Sequence, residues 1–372
     1  MCHEKLDVGE TPACIQACPS GAIMIEAVNV EKWVASDMES NANMPFLPDA
    51  NITKSTTRYT LPETLPELKE LDEHILKPAH AEIPLVFMTI LTQISLGAFF
   101  ALFLGDFMSL FNFTSVNLVM AVVVILPAIL GLPLSALHLG RPYLAMTAMK
   151  NIKTSWLSRE ALALGVFVSL MSLVALSYFF NINIFFRLFL ESLTLGVGIY
   201  GIYAQVMIYR IKARPSWDRI TTNLKFFAVS YVGIFLLSFV AILFEMQEVV
   251  LPLTTLGMLG ALAQLFFSYE DLRDLDSFDK NEYQLKRTKR LYDENFKNIK
   301  IFRFISLIVG GVVLPLLSIV LLTSSLYGFA SFISFVSLIL IFSSEISDRF
   351  LFYSTVVPLG MAGSFFVGKQ RG

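Results

Sequence analysis

From Ile83 onward the chain carries eight apolar stretches, each near the roughly 20 residues that a helix needs to cross a bilayer. They lie at about 83–104, 115–137, 160–180, 184–209, 224–246, 249–269, 301–323 and 328–347. Hydrocarbon offers no partner to a bare backbone group, so such stretches fold as helices. The expected architecture is an all-α polytopic membrane protein, an eight-transmembrane-helix bundle over residues 83–372. Only Asn181–Asn183 separates the third and fourth stretches, which makes a tight hairpin. The last is expected to continue through the apolar run 350–366 as a broken or interfacial segment. No repeat period is evident.

Composition excludes several classes. Hydrophobic residues make up 55% of the 372 and charged residues 16%, against about 45–50% and about 25% in ordinary soluble domains. A soluble enzyme or a disordered tail does not look like this. The net charge of −2 provides no bulk attraction to phosphates, so nucleic acid is not an expected partner and the lipid bilayer is. Thirty-three Phe against three Trp suit lipid-facing and bundle-packing helices.

The charges between the spans alternate. Lys54, Arg58, Lys69 and Lys77 precede span one, and the one–two loop has no basic residue. Arg141, Lys150, Lys153 and Arg159 follow span two; Arg210, Lys212, Arg214 and Arg219 follow span four. Lys286, Arg287, Lys289 and Arg290 lie between spans six and seven, and Lys369 and Arg371 close the tail. With eight spans, every basic segment falls on one side. By the positive-inside rule that side, with both termini, is cytoplasmic.

Residues 1–82 read differently. There is no basic region followed by an apolar run, so this is not a secretory signal. All three cysteines lie here: Cys2, Cys14 and Cys18. Cys14-x3-Cys18-Pro19 matches the end of the bacterial run C-x2-C-x2-C-x3-C-P that grips 4Fe-4S clusters, with Pro turning the chain away after the last thiolate. A chance Cys-Cys pair in a loop is the bland alternative. Residues 1–23 are therefore expected to be the C-terminal fragment of a ferredoxin-type 4Fe-4S domain. Its site is incomplete, because a four-cysteine cluster needs more ligands than the chain holds. Met1 is expected to be an internal Met or the result of trimming. Residues 24–82, rich in Pro, Thr and charge, read as a polar docking connector with a short helical pattern at Leu65–Ile75.

Ionisable groups within or at the edge of spans are functional candidates by default. Of the four His (His3, His74, His80 and His138), only His138 ends a span. A bis-His haem needs two opposed imidazoles at membrane depth, so no haem is expected. His138 closes span two and Glu160 opens span three, both on the basic side. Quinol oxidation needs an acceptor for a hydroxyl proton and a second group to relay it, and an imidazole with a carboxylate can do this. A His capping a loop carbonyl and an acid facing a helix N-terminus remain open readings of the same residues. Arg187 and Glu191, spaced i, i+4 in span four, read as a charge couple. Glu345, Asp348 and Arg349 read as an interfacial ion cluster or as part of a quinone pocket. Trp217 reads as an interfacial anchor or a pocket residue.

Several stretches resemble one family. SALHLGRPYLAMTAMKNIKTSWLSREALALG is similar to the His-Leu-Gly stretch, loop and Ser-x-Glu helix start of the dimethyl sulfoxide reductase membrane anchor. IPLVFMTILTQISLGAF, RPSWDRITTNLKFF and SSEISDRFLFYSTVVPLGMAG resemble its opening helix, its Pro-x-Trp segment and its closing stretch. Residues 1–65, with PDANITKSTTRYTLP, resemble the end of the family's four-cluster iron–sulfur subunit. The resemblance implies a fusion of the two. It implies an anchor, in the bacterial inner (cytoplasmic) membrane, that oxidises menaquinol without haem and passes electrons through iron–sulfur clusters to a separate molybdopterin catalytic subunit, the reductant of a small oxide. Its partners are that subunit and an iron–sulfur electron-transfer subunit or the missing part of one. On this resemblance His138 binds the quinol oxygen and takes its proton, and Glu160 relays it. Arg141, Trp217 and Glu345 join as quinol-binding candidates, and Cys2, Cys14 and Cys18 as the surviving cluster ligands. Family catalytic heads are often extracytoplasmic, whereas the loop charges here place the cysteine-bearing side in the cytoplasm. From the residues alone, a transporter or ion-coupled membrane protein is the alternative. It would favour inverted repeats and Gly/Pro-interrupted spans near the midplane.

Overall fold

Among the described residues, eight helices of the computed structural model are long and apolar enough to cross a bilayer: Ile83–Phe107, Val116–Leu137, Trp156–Phe179, Ile184–Tyr209, Ile220–Leu243, Glu248–Leu275, Lys297–Thr323 and Tyr327–Ser354, spans one to eight. The structure describes residues 3–18, 22–25, 29–33, 35, 57, 76–108, 114–137, 142–277 and 283–358. No strand occurs among them. The eight-helix expectation holds, with span three and spans five to eight extended by up to about two turns at their basic-side ends. The helical pattern at Leu65–Ile75 and most of the run 350–366 lie outside the described residues.

The chain divides into two units, Met1–Glu73 with Gly360–Gly372, and His74–Leu359. The first has short helical turns at His3–Asp7, Ala13–Gln16 and Val30–Lys32, the last capped by the Asn29 side chain accepting from Lys32 N at 3.0 Å. The second holds all eight spans. Between spans six and seven lies a short basic helix, Tyr283–Arg290, whose Leu285 packs with Leu275, Tyr292 and Leu351.

The second unit is inverted relative to a soluble fold. Phe185, Phe189 and Leu130 are exposed, while Gln93, Glu191, Gln205 and Gln264 are fully buried. Apolar surface on this scale suits lipid, where polar side chains must turn inward to find partners.

Span one is the axis of the bundle, packing on spans two, four and five. Spans one and five cross backbone to backbone: a methyl at Gly97 would overlap the Ser230 carbonyl, and one at Gly233 would overlap the Ile94 carbonyl. Such close approach is what small residues permit between membrane helices. Span two carries Pro127 and Pro133. Ser95 of span one inserts there, its hydroxyl donating to Val124 O at 2.6 Å and accepting from Ala128 N at 2.9 Å. A neighbouring helix thus replaces a rung of the helical ladder beside a proline.

Two spans are interrupted. Span five consists of Ile220–Ala228 and Tyr231–Leu243, broken at Val229–Ser230. Span seven contains a π-helical turn, Val309–Val313, just before Pro315, which has no N–H to offer the preceding turn. The break in span five falls on a Val and a Ser, with no glycine or proline in it, so nothing in its sequence marks it.

Candidate functional site: buried polar centres on the basic side

Glu160 enters through local chemistry. Ser155 caps the start of span three, its hydroxyl accepting from Ser158 N at 3.3 Å, which sets Glu160 one turn into the helix. There it is 4% exposed. Its carboxylate oxygen Oε1 accepts from Gln205 Nε2 of span four at 2.9 Å. Gln205 Oε1 accepts from Gln93 Nε2 of span one at 2.8 Å, and Gln93 Oε1 accepts from Arg349 Nη2 of span eight at 3.1 Å. Four side chains from four spans thus form one buried chain. Beside it, Tyr209 and Tyr353 share a hydroxyl–hydroxyl bond of 2.6 Å.

The second centre belongs to spans five to eight. Glu345, 1% exposed, accepts from Tyr231 OH at 3.0 Å and from Gln264 Nε2 at 2.8 Å. One turn on, Asp348 Oδ1 lies 2.9 Å from Arg303 Nη2 and 3.0 Å from Lys225 Nζ. Lys225 also reaches Asp271 Oδ2 at 3.2 Å, and Asp271 pairs with Arg219 at 2.8 Å. Arg349 lies over the Phe226 ring, 3.5 Å from its centroid. Burial pushes the phenol of Tyr292, which lies in the segment between spans six and seven, above its ordinary pKa, so it stays a neutral hydroxyl.

Trp217 is a wedge inside the protein. Its indole N–H donates to Phe352 O at 2.8 Å, and its ring stacks on Phe352 at 5.0 Å. Glu160, Trp217 and Glu345 therefore all lie inside the protein near the same ends of the spans. His138, Arg141 and Cys2 lie outside the described residues. Cys14 is exposed within the helical turn Ala13–Gln16, and Cys18 is half-buried just after it. Among the described residues no group of three His, Cys, Asp or Glu could hold a metal ion. Three cysteines are one short of a four-thiolate cluster, so this chain's own residues do not fit a complete 4Fe-4S site.

At the opposite ends of the spans, Arg187 pairs with Asp106 of span one at 2.7 Å and lies 3.9 Å from Glu191. Tyr178 OH donates to Glu191 at 3.0 Å. The expected Arg187–Glu191 couple is present, but its stronger partner is Asp106, 81 residues away, where no local spacing could reveal it. Gln93, Gln205, Lys225, Asp271 and Arg303 also escape sequence reasoning; amides within apolar runs are the available signal for the first two.

Fold and site together define a multi-pass helical membrane protein with buried charge and amide networks gathered toward one face. The profile of the DMSO reductase anchor subunit (DmsC) family matches residues 77–355, and the chain belongs to that family. It is 27% identical over 175 residues to a chain of the anaerobic dimethyl sulfoxide reductase of Haemophilus influenzae, covering 45% of this chain and 61% of that protein. It is 28% identical over 139 residues to a subunit of the sulfite dehydrogenase of Allochromatium vinosum, covering 35% of this chain and 43% of that protein. The chain thus spans less than two thirds of the length of either relative.

Proposed function

We propose that this anchor oxidises menaquinol at the basic face and hands the electrons to iron–sulfur centres that serve a molybdopterin catalytic subunit. The observation that carries this reading is Glu160: a carboxylate withdrawn from water, held by one amide donor, at the bilayer edge of a family-matched span. A group so placed can accept a hydroxyl proton and pass it on. His138 is the proposed partner at the quinol oxygen, with Arg141, Trp217 and Glu345 around the headgroup. The terminal reaction, reduction of a small oxide such as a sulfoxide, belongs to the catalytic subunit. Cys2, Cys14 and Cys18 contribute to a cluster only if further ligands come from elsewhere, so no step is derived through them.

Loop charge supports a cytoplasmic basic face in a bacterial inner membrane. Residues 1–23 as a ferredoxin-type fragment and 24–82 as a docking tail remain part of the same proposal. The likeness to a sulfite dehydrogenase subunit favours a second reading, in which electrons run the other way and quinone is reduced; the same side chains serve either direction.

The test is menaquinol-driven reduction by the complex in membranes, with a quinone-analogue titration beside it. Glu160→Gln is expected to lower turnover by about 100-fold or more, and His138→Ala to abolish tight binding of the analogue. Full turnover in Glu160→Gln with unchanged binding in His138→Ala would remove the proposed site.

A further inference from the structure

At the ends of the spans away from the basic face, one cation stands between two acids. Arg187 Nε lies 2.7 Å from Asp106 Oδ2 and 3.9 Å from Glu191 Oε1. Tyr178 OH donates to the same Glu191 oxygen at 3.0 Å, and its ring lies 4.3 Å from the guanidinium carbon. The four side chains come from spans one, three and four. The titratable groups that act on Glu191 are Asp106 of span one, Tyr178 of span three and Arg187 of its own span. With both acids ionised, the cluster carries one negative charge too many.

Neither acid can shed that charge into water. Glu191 is fully buried and Asp106 is 4% exposed. The Arg187 side chain is 12% exposed and forms the cluster's outer edge. An unbalanced buried charge is costly, and such a group neutralises instead. Two oxygens show where. Asp106 Oδ1 and Glu191 Oε2 are buried without a hydrogen-bond partner among the described residues, although the two carboxyl groups lie within hydrogen-bonding reach of each other. Two ionised carboxylates cannot serve one another, because neither carries a donor. One proton placed between them serves both oxygens. A hard metal ion such as Ca²⁺ takes six or more oxygen ligands, and Arg187 would repel it.

We propose that Asp106 and Glu191 bind one proton between them, taken from the water on the face opposite the basic one. Arg187 lies closer to Asp106, so Asp106 is the carboxylate and Glu191 the acid. Glu191 Oε1 accepts from Tyr178, and the proton on Oε2 is donated to Asp106 Oδ1. The cluster is then neutral, and both orphaned oxygens have a partner. Two like charges sharing one site behave this way, since they do not ionise together. Exchange with solvent runs past Arg187, the exposed member. Loaded with its proton, the cluster ties spans one, three and four together at this end; without it, two carboxylates compete for one guanidinium and the tie weakens. The site is independent of the quinol chemistry and responds to the pH of the compartment opposite the basic face.

Infrared spectroscopy of the full chain in lipid nanodiscs at neutral pH reads the proton directly. The wild-type spectrum minus that of Glu191→Gln is expected to show the C=O stretch of one protonated carboxyl group, moving to lower wavenumber in D2O. Asp106→Asn is expected to remove the same band, because Glu191 then pairs with Arg187 as a carboxylate. A difference showing only carboxylate stretches means an ionised Glu191 and overturns the proposal. A band that survives in Asp106→Asn overturns the sharing. Thermal unfolding across pH is the second readout. The native chain holds a proton that the unfolded chain gives up, so stability falls as pH rises. While the proton stays bound, wild-type folding is expected to weaken relative to Glu191→Gln by up to about tenfold per pH unit. A gap between the two that does not widen with pH overturns the proposal. Gln reproduces the shape and the donor of the protonated acid, so Glu191→Gln is expected to fold, and its failure to fold counts equally against a bound proton.

Discussion

Glu160 and Arg349, on spans three and eight, are the carboxyl and guanidinium ends of one buried hydrogen-bond chain, and every bond in it points the same way. Arg349 donates to Gln93, Gln93 donates to Gln205, and Gln205 donates to Glu160. Aligned donors polarise one another in a low-dielectric interior. The carboxylate proposed to meet the quinol is therefore tuned from a residue two amides away, and a change at any link reaches the others.

The chain predicts the effect of removing its middle. Gln205→Leu leaves the Glu160 carboxylate without its donor and the Gln93 N–H without its acceptor. Each orphaned buried group costs about 1–3 kcal/mol. Thermal unfolding in detergent is expected to shift down measurably. Menaquinol-driven turnover is expected to fall more than quinone-analogue affinity does, because Gln205 positions the proton acceptor. An unfolding temperature equal to that of the wild type contradicts the hydrogen bonds described.

Asp348 makes a larger prediction. Its Oδ1 serves both Arg303 and Lys225, and all three are buried. Asp348→Ala leaves two cations facing each other without their shared anion. Breaking a buried pair in this way typically costs about 3–5 kcal/mol. The variant is expected to assemble poorly, and adding Lys225→Met is expected to recover part of the loss. A single variant as stable as the wild type would mean that the two cations find other partners.

These networks mark what can be read from the sequence and what cannot. The spans are legible because hydrocarbon forces length and apolarity on every crossing helix, and the alternating loop charges agree with their number. Glu160 and Glu345 are visible as acids inside apolar runs. Their partners are hidden, since Gln205 lies 45 residues from Glu160 and Gln264 lies 81 from Glu345. Trp217 looks like an interfacial anchor because nothing in RPSW shows that Phe352 will stack on it. Asp106 falls in the one–two loop, beyond the expected end of span one at 104, so nothing local marks it as the partner of Arg187. Local spacing carries periodicity and caps; pairing between spans emerges only once the helices are packed.

The crossing of spans one and five yields a steric prediction. Gly97→Ala and Gly233→Ala each place a methyl against a backbone carbonyl of the opposing helix. A backbone cannot yield as a side-chain tip can, so the two helices must separate. Either variant is expected to lower the yield of folded protein sharply, whereas Gly165→Ala and Gly196→Ala, which meet open space, are expected to be tolerated. Size-exclusion profiles of the four variants in detergent distinguish these outcomes.

The cluster at the far ends of the spans predicts non-additivity. Arg187 stands between Asp106 and Glu191, and its guanidinium lies over the Tyr178 ring at 4.3 Å. Arg187→Met removes the cation and leaves two buried carboxylates with no cation between them. That is expected to destabilise the protein by about 3–5 kcal/mol. Asp106→Leu alone leaves Arg187 with Glu191 and is expected to cost less. In the double variant both partners of the shorter pair are gone, an apolar contact between spans one and four replaces them, and Tyr178 still donates to Glu191. Its loss is expected to be smaller than the sum of the two single losses, by a coupling of about 1–3 kcal/mol. Strict additivity in thermal unfolding would mean that Arg187 and Asp106 do not stabilise each other.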